Sequence, residues 1–352
     1  MTKVLFKGYA YILKCLTIKT INRMIFIAGK MSLGEAVKSY TTLSRFEFLP
    51  AVAVAILIGI FLGAESFQKL LELDTIIFVI EGLVIFFLLF NAGFQVNCWA
   101  DWEVDKVYKT RLYETVMRLG RKNLGRMVAV HIALALILSI HLAYALGKIE
   151  ILLLVIVGTF VGIGYSVEPL RFKRRGSLHM LMAFPVFFIP GTFSYLLVHT
   201  LPLTEPSTYF FLLIAIGITL AHYGLVLISQ TEDFPEDKAS GIETPAVSWG
   251  LRKTISIAFY LNLIGSAMII AGFALWFSFY AYLLFYLPLL IAGRLIPLRD
   301  VYALHEKGKS LEEEKILEEI RKEMPKYPKW HGIGLAVIML AGFLMLIFRS
   351  LG

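Results

Sequence analysis

Nine stretches of almost unbroken apolar residues recur along this chain, at 46–64, 73–95, 127–146, 149–165, 179–201, 207–229, 254–275, 276–293 and 331–348, and the short segments between them carry most of its charge. At about 18 to 23 residues each, a helix rises far enough to cross a hydrocarbon layer of roughly 30 Å. Pro185 and Pro190 fall inside the fifth stretch and predict a kink there. No polar punctuation separates 254–275 from 276–293. The pattern predicts an all-α polytopic membrane protein of nine transmembrane helices.

Composition agrees with the pattern. Of 352 residues 58% are hydrophobic and only 17% charged, with a mean hydropathy of +0.74, whereas a soluble domain carries about a quarter charged residues. The first 45 residues hold eight Lys or Arg and only short apolar runs, too long and too basic a lead for a cleavable signal. Within them "YILKCLTIKTINRMIFIAGK" reads as a basic amphipathic helix lying on a membrane surface. Residues 1–45 are therefore set apart from a membrane domain at 46–348. Cys15 and Cys98, the two cysteines, form no CxxC and define no disulfide framework.

The net charge of +8 would suit a nucleic-acid binder, but its distribution points elsewhere. If the nine segments alternate in direction, all but three of the 34 Lys and Arg fall on one side; the exceptions are Lys69, Lys148 and Arg349. Basic residues gather on the cytoplasmic side of membrane proteins. The N-terminus and the four polar loops are thus expected in the cytoplasm, the C-terminus outside, and no nucleic acid is implied.

Two of those loops carry the same pattern. "QVNCWADWEVDKVYKTRL" ends the second apolar stretch, and "SQTEDFPEDKASGIETPAV" ends the sixth. Asp101 and Asp233 are 132 residues apart, as are Asp105 and Asp237, and Lys106 maps to Lys238, so DxxxDK occurs twice at one offset. Asn97 maps to Ser229. Fixed-offset similarity marks internal duplication, here two pseudo-repeats at about 46–178 and 179–293 around a central cavity, with the last helix at 331–348 added. Asn97, Asp101 and Asp105 stand at i, i+4 and i+8, one column of a helix face. Two carboxylates on that column repel unless a cation neutralises them, and Mg²⁺ takes one or two carboxylates together with substrate phosphates. A single DxxxD would read as a solvated helix end; two copies in corresponding loops of a basic face favour metal sites. Between them "GYSVEPLRFKRRGS" forms a basic turn in which Arg171 and Lys173 follow Tyr165, Ser166 and Pro169, while Arg174 and Arg175 read as topogenic charge. Acidic clusters flanking a basic turn suit a metal–diphosphate ligand.

Together "NCWADWEVD", "YSVEPLRFKRRG" and "DFPEDKASGIETPAVSWG", in that order, resemble the UbiA-type intramembrane prenyltransferases over residues 46–348. That family has NxxxDxxxD and DxxxD motifs, a "YSxPPLRxKRxG" turn between them and nine transmembrane helices. The resemblance implies Mg²⁺-dependent transfer of a polyprenyl chain, of geranylgeranyl type, from its diphosphate to an acceptor within the membrane. It implies that Asn97, Asp101 and Asp105 hold one metal ion, that Asp233 and Asp237 hold a second or position the reacting end, and that Tyr165, Arg171 and Lys173 contact the diphosphate. Lys109 and Arg111 are added by position. Three departures stand out: Cys98 follows the asparagine where Asp is common, "KTRLYETVMR" replaces an Arg-Pro segment, and Glu168 replaces the first proline of the turn. None removes a metal ligand. Acceptors in reach of this chemistry are a glyceryl-phosphate ether lipid, a hydroxybenzoate or naphthoate quinone precursor, and a tetrapyrrole or carotenoid.

A transporter would also carry intramembrane carboxylates and repeats, but its site would sit near the bilayer midplane, not at helix ends. Glu81 lies inside the second stretch and suits a snorkelling or helix-bonded group as well as a functional one. His131, His141, His199 and His222 show no metal-ligand spacing and suit hydrogen bonds between helices. Tyr195 and Tyr223 read as packing aromatics, and "SLEEEKILEEIRKE" as a solvated surface helix.

Overall fold

The computed structural model describes residues 32–46, 49–202, 204–276 and 280–351. The amphipathic stretch expected at 11–30 and Cys15 lie outside them. In chain order the helices are α1 (Leu33–Ser44), α2 (Leu49–Gly63), α3 (Leu73–Ala100), α4 (Trp102–Tyr108), α5 (Thr110–Leu119), α6 (Arg121–Leu146), α7 (Ile149–Ser166), α8 (Ile189–Val198), α9 (Pro206–Thr231), α10 (Phe234–Ala239), α11 (Pro245–Trp249), α12 (Leu251–Trp276), α13 (Tyr280–Ser310), α14 (Glu313–Glu323) and α15 (Tyr327–Leu351). The described residues form no strand, so the all-α expectation holds.

Among them seven helical segments are long and apolar enough to cross a membrane, against the nine apolar stretches of the sequence. Of the other two stretches, α2 is shorter, at 15 residues, and 276–293 falls partly outside the description. The kink expected in the fifth stretch is a change of helix type. A 3₁₀ segment Gly176–Met182 passes into a π turn Phe184–Phe188 and then into α8. Pro185 and Pro190 lack the N–H that a regular α-helix would need there.

The described residues divide into two compact units: 32–46 with 90–131, and 49–89 with 132–351. Helices α3 and α6 contribute to both. In the smaller unit Ser32 and Glu35 close a capping box at the start of α1. Its core is Leu43, Cys98, Val116 and Leu124, with Trp99, Trp102 and Leu112 packed around them. Tyr40 meets His131 at 3.4 Å. Burial pushes the Tyr40 phenol up to about 12, so it remains a neutral partner.

The larger unit is built on the pairing of α9 with α12. Gly217 faces Gly265 across that contact so closely that a Cβ on Gly217 would lie 2.8 Å from the Gly265 carbonyl. Small residues let helix backbones approach where lipid gives no hydrophobic drive for association. Asn262 adds a buried amide bond to the Ala221 carbonyl at 3.0 Å. One apolar cluster joins α2, α8, α9, α12, α13 and α15 through Ile58, Tyr195, Phe211, Phe273, Leu290 and Leu335. Tyr195 stacks on Phe211 at 3.9 Å, the packing role expected of it. A second cluster gathers Phe187, Leu227, Phe234, Ala246, Ile255 and Leu304.

Several polar residues are structural. Glu81 meets the His141 ring at 2.9 Å, a pairing between α3 and α6. Of the three cations outside the charge bias, two close helix C-termini, where carbonyls lack intrahelical donors. Lys148 donates to the Leu196 and His199 carbonyls at 2.5 and 2.8 Å, and Arg349 to those of Leu62 and Ala64, both at 2.9 Å. Arg294, counted above among loop cations, is instead 1% exposed within α13 and donates to Ser266 at 3.0 Å. The charged segment expected to be a solvated surface helix, α14, turns Ile316 and Ile320 into the second cluster and pairs Glu319 with Lys307 at 2.6 Å.

Candidate functional site

The first motif sits where a long span stops. Helix α3 ends at Ala100, and Asp101 takes φ −97°, ψ 7° before α4 begins. The Asp101 amide still donates to Asn97 and the Asp105 amide to Asp101, both at 2.9 Å. Four-residue bonding therefore carries through the break and keeps the three side chains on successive turns. Asp105 is 6% exposed; Asn97 and Asp101 are half-buried. Around them Arg121 lies over the Trp99 ring at 4.7 Å and the Trp102 ring at 5.3 Å, and donates to the Trp99 carbonyl at 3.2 Å. Lys109 is the break between α4 and α5 and is exposed. Arg111 reaches Thr42 of α1 at 3.3 Å.

The second motif repeats the break. Helix α9 ends at Thr231, Asp233 takes φ −81°, ψ 0°, and Asp237 follows on α10. Its amide bonds Asp233 at 2.9 Å, as in the first motif. The step before differs: the Asp233 amide donates to Gln230, three residues back, at 3.2 Å. This tighter turn takes Ser229 out of the register that Asn97 holds. Asp233 is exposed and Asp237 half-buried, and Phe234 between them is anchored in the second apolar cluster.

The basic turn belongs to the same unit as the second motif. Helix α7 gives way at Val167, a cis peptide joins Glu168 to Pro169, and Arg171 adopts the left-handed region at φ 34°. The Arg171 guanidinium donates to Glu168 at 3.2 Å, and that of Arg175 to the Pro169 carbonyl. Lys173 follows in a single 3₁₀ turn, half-buried. Two ties hold this turn beside the second motif. Behind Asp237, the Gly176 amide donates to Glu243 at 2.6 Å; Gly176 has φ 53°, and a Cβ there would lie 2.9 Å from Ser248 Oγ. Ahead of Asp233, the Gln230 amide lies against His179. Tyr165, at the end of α7, reaches the same His179 ring at 2.8 Å.

Tyr165, Arg171, Lys173, Asp233 and Asp237 are thus gathered in one unit, while Asn97, Asp101, Asp105, Lys109 and Arg111 belong to the other. Sequence reasoning passed over His179 and Gln230, and took Tyr223, which meets His179 at 3.1 Å, as packing alone. His179 lies eight residues from Arg171, but it fits no metal-ligand spacing and is far in sequence from both acidic motifs.

The donors are all hard oxygens, four carboxylates and one amide, and the one nearby sulfur, Cys98, is 3% exposed in core packing. Each motif offers two carboxylates, and among the described residues no three His, Cys, Asp or Glu gather into a metal-holding group. Such a set fits Mg²⁺, which completes its shell with water and phosphate oxygens.

The model of the UbiA prenyltransferase family matches residues 49–304. No curated protein matches the chain in sequence. Among solved structures, the fold is similar to that of a UbiA homologue from Archaeoglobus fulgidus bound to GPP and Mg²⁺, with TM-score 0.60 and 17% identity over 88% of this chain and 99% of that one. It is also similar to a digeranylgeranylglyceryl phosphate synthase, with TM-score 0.64 and 15% identity over 88% and 99%. A UbiA homologue from Aeropyrum pernix matches with TM-score 0.58 and 15% identity over 86% and 99%.

Proposed function

This chain belongs to the UbiA prenyltransferase family, and from that premise we propose that it moves a geranylgeranyl-type chain from its diphosphate to a lipid or aromatic acceptor, using Mg²⁺ held at its two acidic motifs. The protein is an integral membrane prenyltransferase; the chain length, acceptor, ion count and site residues are the proposal. Support for a diphosphate and Mg²⁺ comes from the Archaeoglobus fulgidus homologue, which binds GPP and Mg²⁺. Support for a lipid acceptor comes from the likeness to a digeranylgeranylglyceryl phosphate synthase. The observation that supports the reading is the pair of ties, Gly176 to Glu243 and His179 to Gln230, that join the segment after Tyr165, Arg171 and Lys173 to the residues flanking Asp233 and Asp237.

Asn97, Asp101 and Asp105 are the proposed ligands of one Mg²⁺, and Asp233 and Asp237 those of a second. When bound, Mg²⁺ supplies positive charge against the diphosphate as the allylic carbon–oxygen bond ionises. Arg171 and Lys173 meet the remaining phosphate charge, in surroundings drier than bulk water where such contacts strengthen. The Tyr165 hydroxyl donates a hydrogen bond to a phosphate oxygen. The acceptor's electron-rich carbon or hydroxyl quenches the allylic cation and gives up its proton to the released diphosphate, and the apolar helices keep water, the competing nucleophile, away. The metal-bearing loops are proposed to face the cytoplasm, as the basic residues of the connecting segments suggest.

The test is purified protein in nanodiscs with geranylgeranyl diphosphate, Mg²⁺ and a panel of glyceryl-phosphate, hydroxybenzoate, naphthoate and tetrapyrrole acceptors, read by mass spectrometry. Prenylated product that disappears with EDTA is expected. No product from any acceptor, or transfer indifferent to EDTA, would overturn the proposal.

A further inference from the structure

His179 is 1% exposed, and each of its ring nitrogens meets a tyrosine. Nε2 is 2.8 Å from the Tyr165 hydroxyl and Nδ1 is 3.1 Å from that of Tyr223. The ring is edge-on to Tyr165 at 5.3 Å and stacked on Tyr223 at 6.0 Å. Gln230, three residues before Asp233, presses its side-chain amide against Nε2. Three side chains from α7 and α9 therefore meet at the one imidazole of the 3₁₀ segment, inside one compact unit.

A neutral imidazole has one donor and one acceptor, so fixing one nitrogen fixes the other. Gln230 decides which. Its Oε1 is a buried acceptor that finds no hydrogen-bond partner while the amide nitrogen faces the ring. Turning the amide so that Oε1 meets Nε2 satisfies it and places the ring proton on Nε2. Nδ1 then accepts from the Tyr223 hydroxyl, and the Nε2 proton is offered to the oxygens of Gln230 and Tyr165. The Tyr165 oxygen thus accepts from the ring, and its own O–H must donate away from it. Aligned donors along such a chain polarise one another, and the last one is the stronger donor for it.

We propose that His179 is a positioning residue of this prenyltransferase: with Tyr223 and Gln230 it holds the Tyr165 phenol oriented to donate to a phosphate oxygen of the isoprenyl diphosphate. The proposal rests on Tyr165 being a diphosphate contact, as read above. His179 reaches the ligand only through Tyr165, so its effect must vanish when the Tyr165 hydroxyl is absent.

The experiment is equilibrium binding of geranylgeranyl diphosphate with Mg²⁺ to the full chain in nanodiscs, for the wild type, Tyr165→Phe, His179→Ala and the double variant. Loss of a hydrogen bond to a charged group weakens Kd by about 10-fold or more. Tyr165→Phe and His179→Ala are each expected to weaken Kd about 10-fold, and the double variant no more than Tyr165→Phe alone. If His179→Ala is not recovered folded, Tyr223→Phe takes its place. That variant keeps the packing, removes only the donor to Nδ1, and is expected to weaken Kd about 3-fold, again not beyond Tyr165→Phe. Additive losses, or a His179 or Tyr223 variant within 2-fold of the wild type, would overturn the positioning role. A wild type that does not bind geranylgeranyl diphosphate with Mg²⁺ would sink the functional reading itself and this proposal with it.

Discussion

At Asp101 and at Asp233 a long apolar helix stops, the backbone takes ψ near zero, and a helix of seven residues in one case and six in the other carries the second aspartate onward. The two motifs share this break but not its surroundings. The first motif is set into a small core of its own, with Asp105 buried and Arg121 stacked on two tryptophans. The second exposes Asp233, winds its entry turn one residue tighter, and is held by bonds to the basic turn on either side. The first therefore gets its rigidity from packing, and the second from a hydrogen-bonded neighbour that brings cationic side chains with it. The proposed diphosphate–metal site calls for both carboxylate oxygens and a source of positive charge, and the second motif shares its unit with Arg171 and Lys173.

The most severe test treats the motifs as equals. Asp101→Ala and Asp233→Ala should each cut prenyl transfer by at least about 100-fold, the scale of losing one preorganised electrostatic group, with protein still extracted folded in detergent. Near wild-type transfer by either variant would remove that motif from the metal assignment. A finer test separates them by register. Asn97→Ala should lower transfer about 10-fold at limiting Mg²⁺, while Ser229→Ala stays within about 2-fold, because the tighter turn takes Ser229 out of the ligand column. Equal losses at both positions would restore a strict repeat. The smallest effect concerns packing. Arg121→Ala, which removes a cation over two rings and its bond to the Trp99 carbonyl, should lower the apparent melting temperature by the equivalent of about 1 kcal/mol, whereas Lys238→Ala, which removes a cation 5.3 Å from the Phe234 ring alone, should leave it nearly unchanged. If Lys238→Ala destabilises as much, the first motif is not the better packed of the two.

Much of this was legible in the residues. Apolar run length gave the helices of the membrane domain, because in lipid a continuous apolar segment of that length satisfies its own backbone only as a helix. The repeated DxxxDK located both helix breaks, since a short charged segment after a long apolar one has nowhere to continue within the span. Pro185 and Pro190 marked the altered helix between Gly176 and α8. Less visible were contacts made by single side chains across elements. Arg294 was counted as a loop charge because it closes an apolar run, yet it is buried against Ser266. The Ile316–Ile320 face of α14 was outvoted by its neighbouring charges, and His179 carried no spacing signal at all.

By itself the sequence determined that the chain is helical and membrane-embedded, which family it belongs to, and which carboxylates stand at the ends of its spans; these follow from local hydropathy, four-residue spacing and motif order, properties a linear string contains. Only the tertiary structure decided that Lys148 and Arg349 close other helices, that Ser229 loses the register of Asn97, and that Tyr165, Tyr223 and Gln230 meet at His179. Those outcomes depend on which helix faces approach one another, and that is set by the packing of distant small and aromatic residues such as Gly217, Gly265 and Phe211 and not by any pattern along the chain.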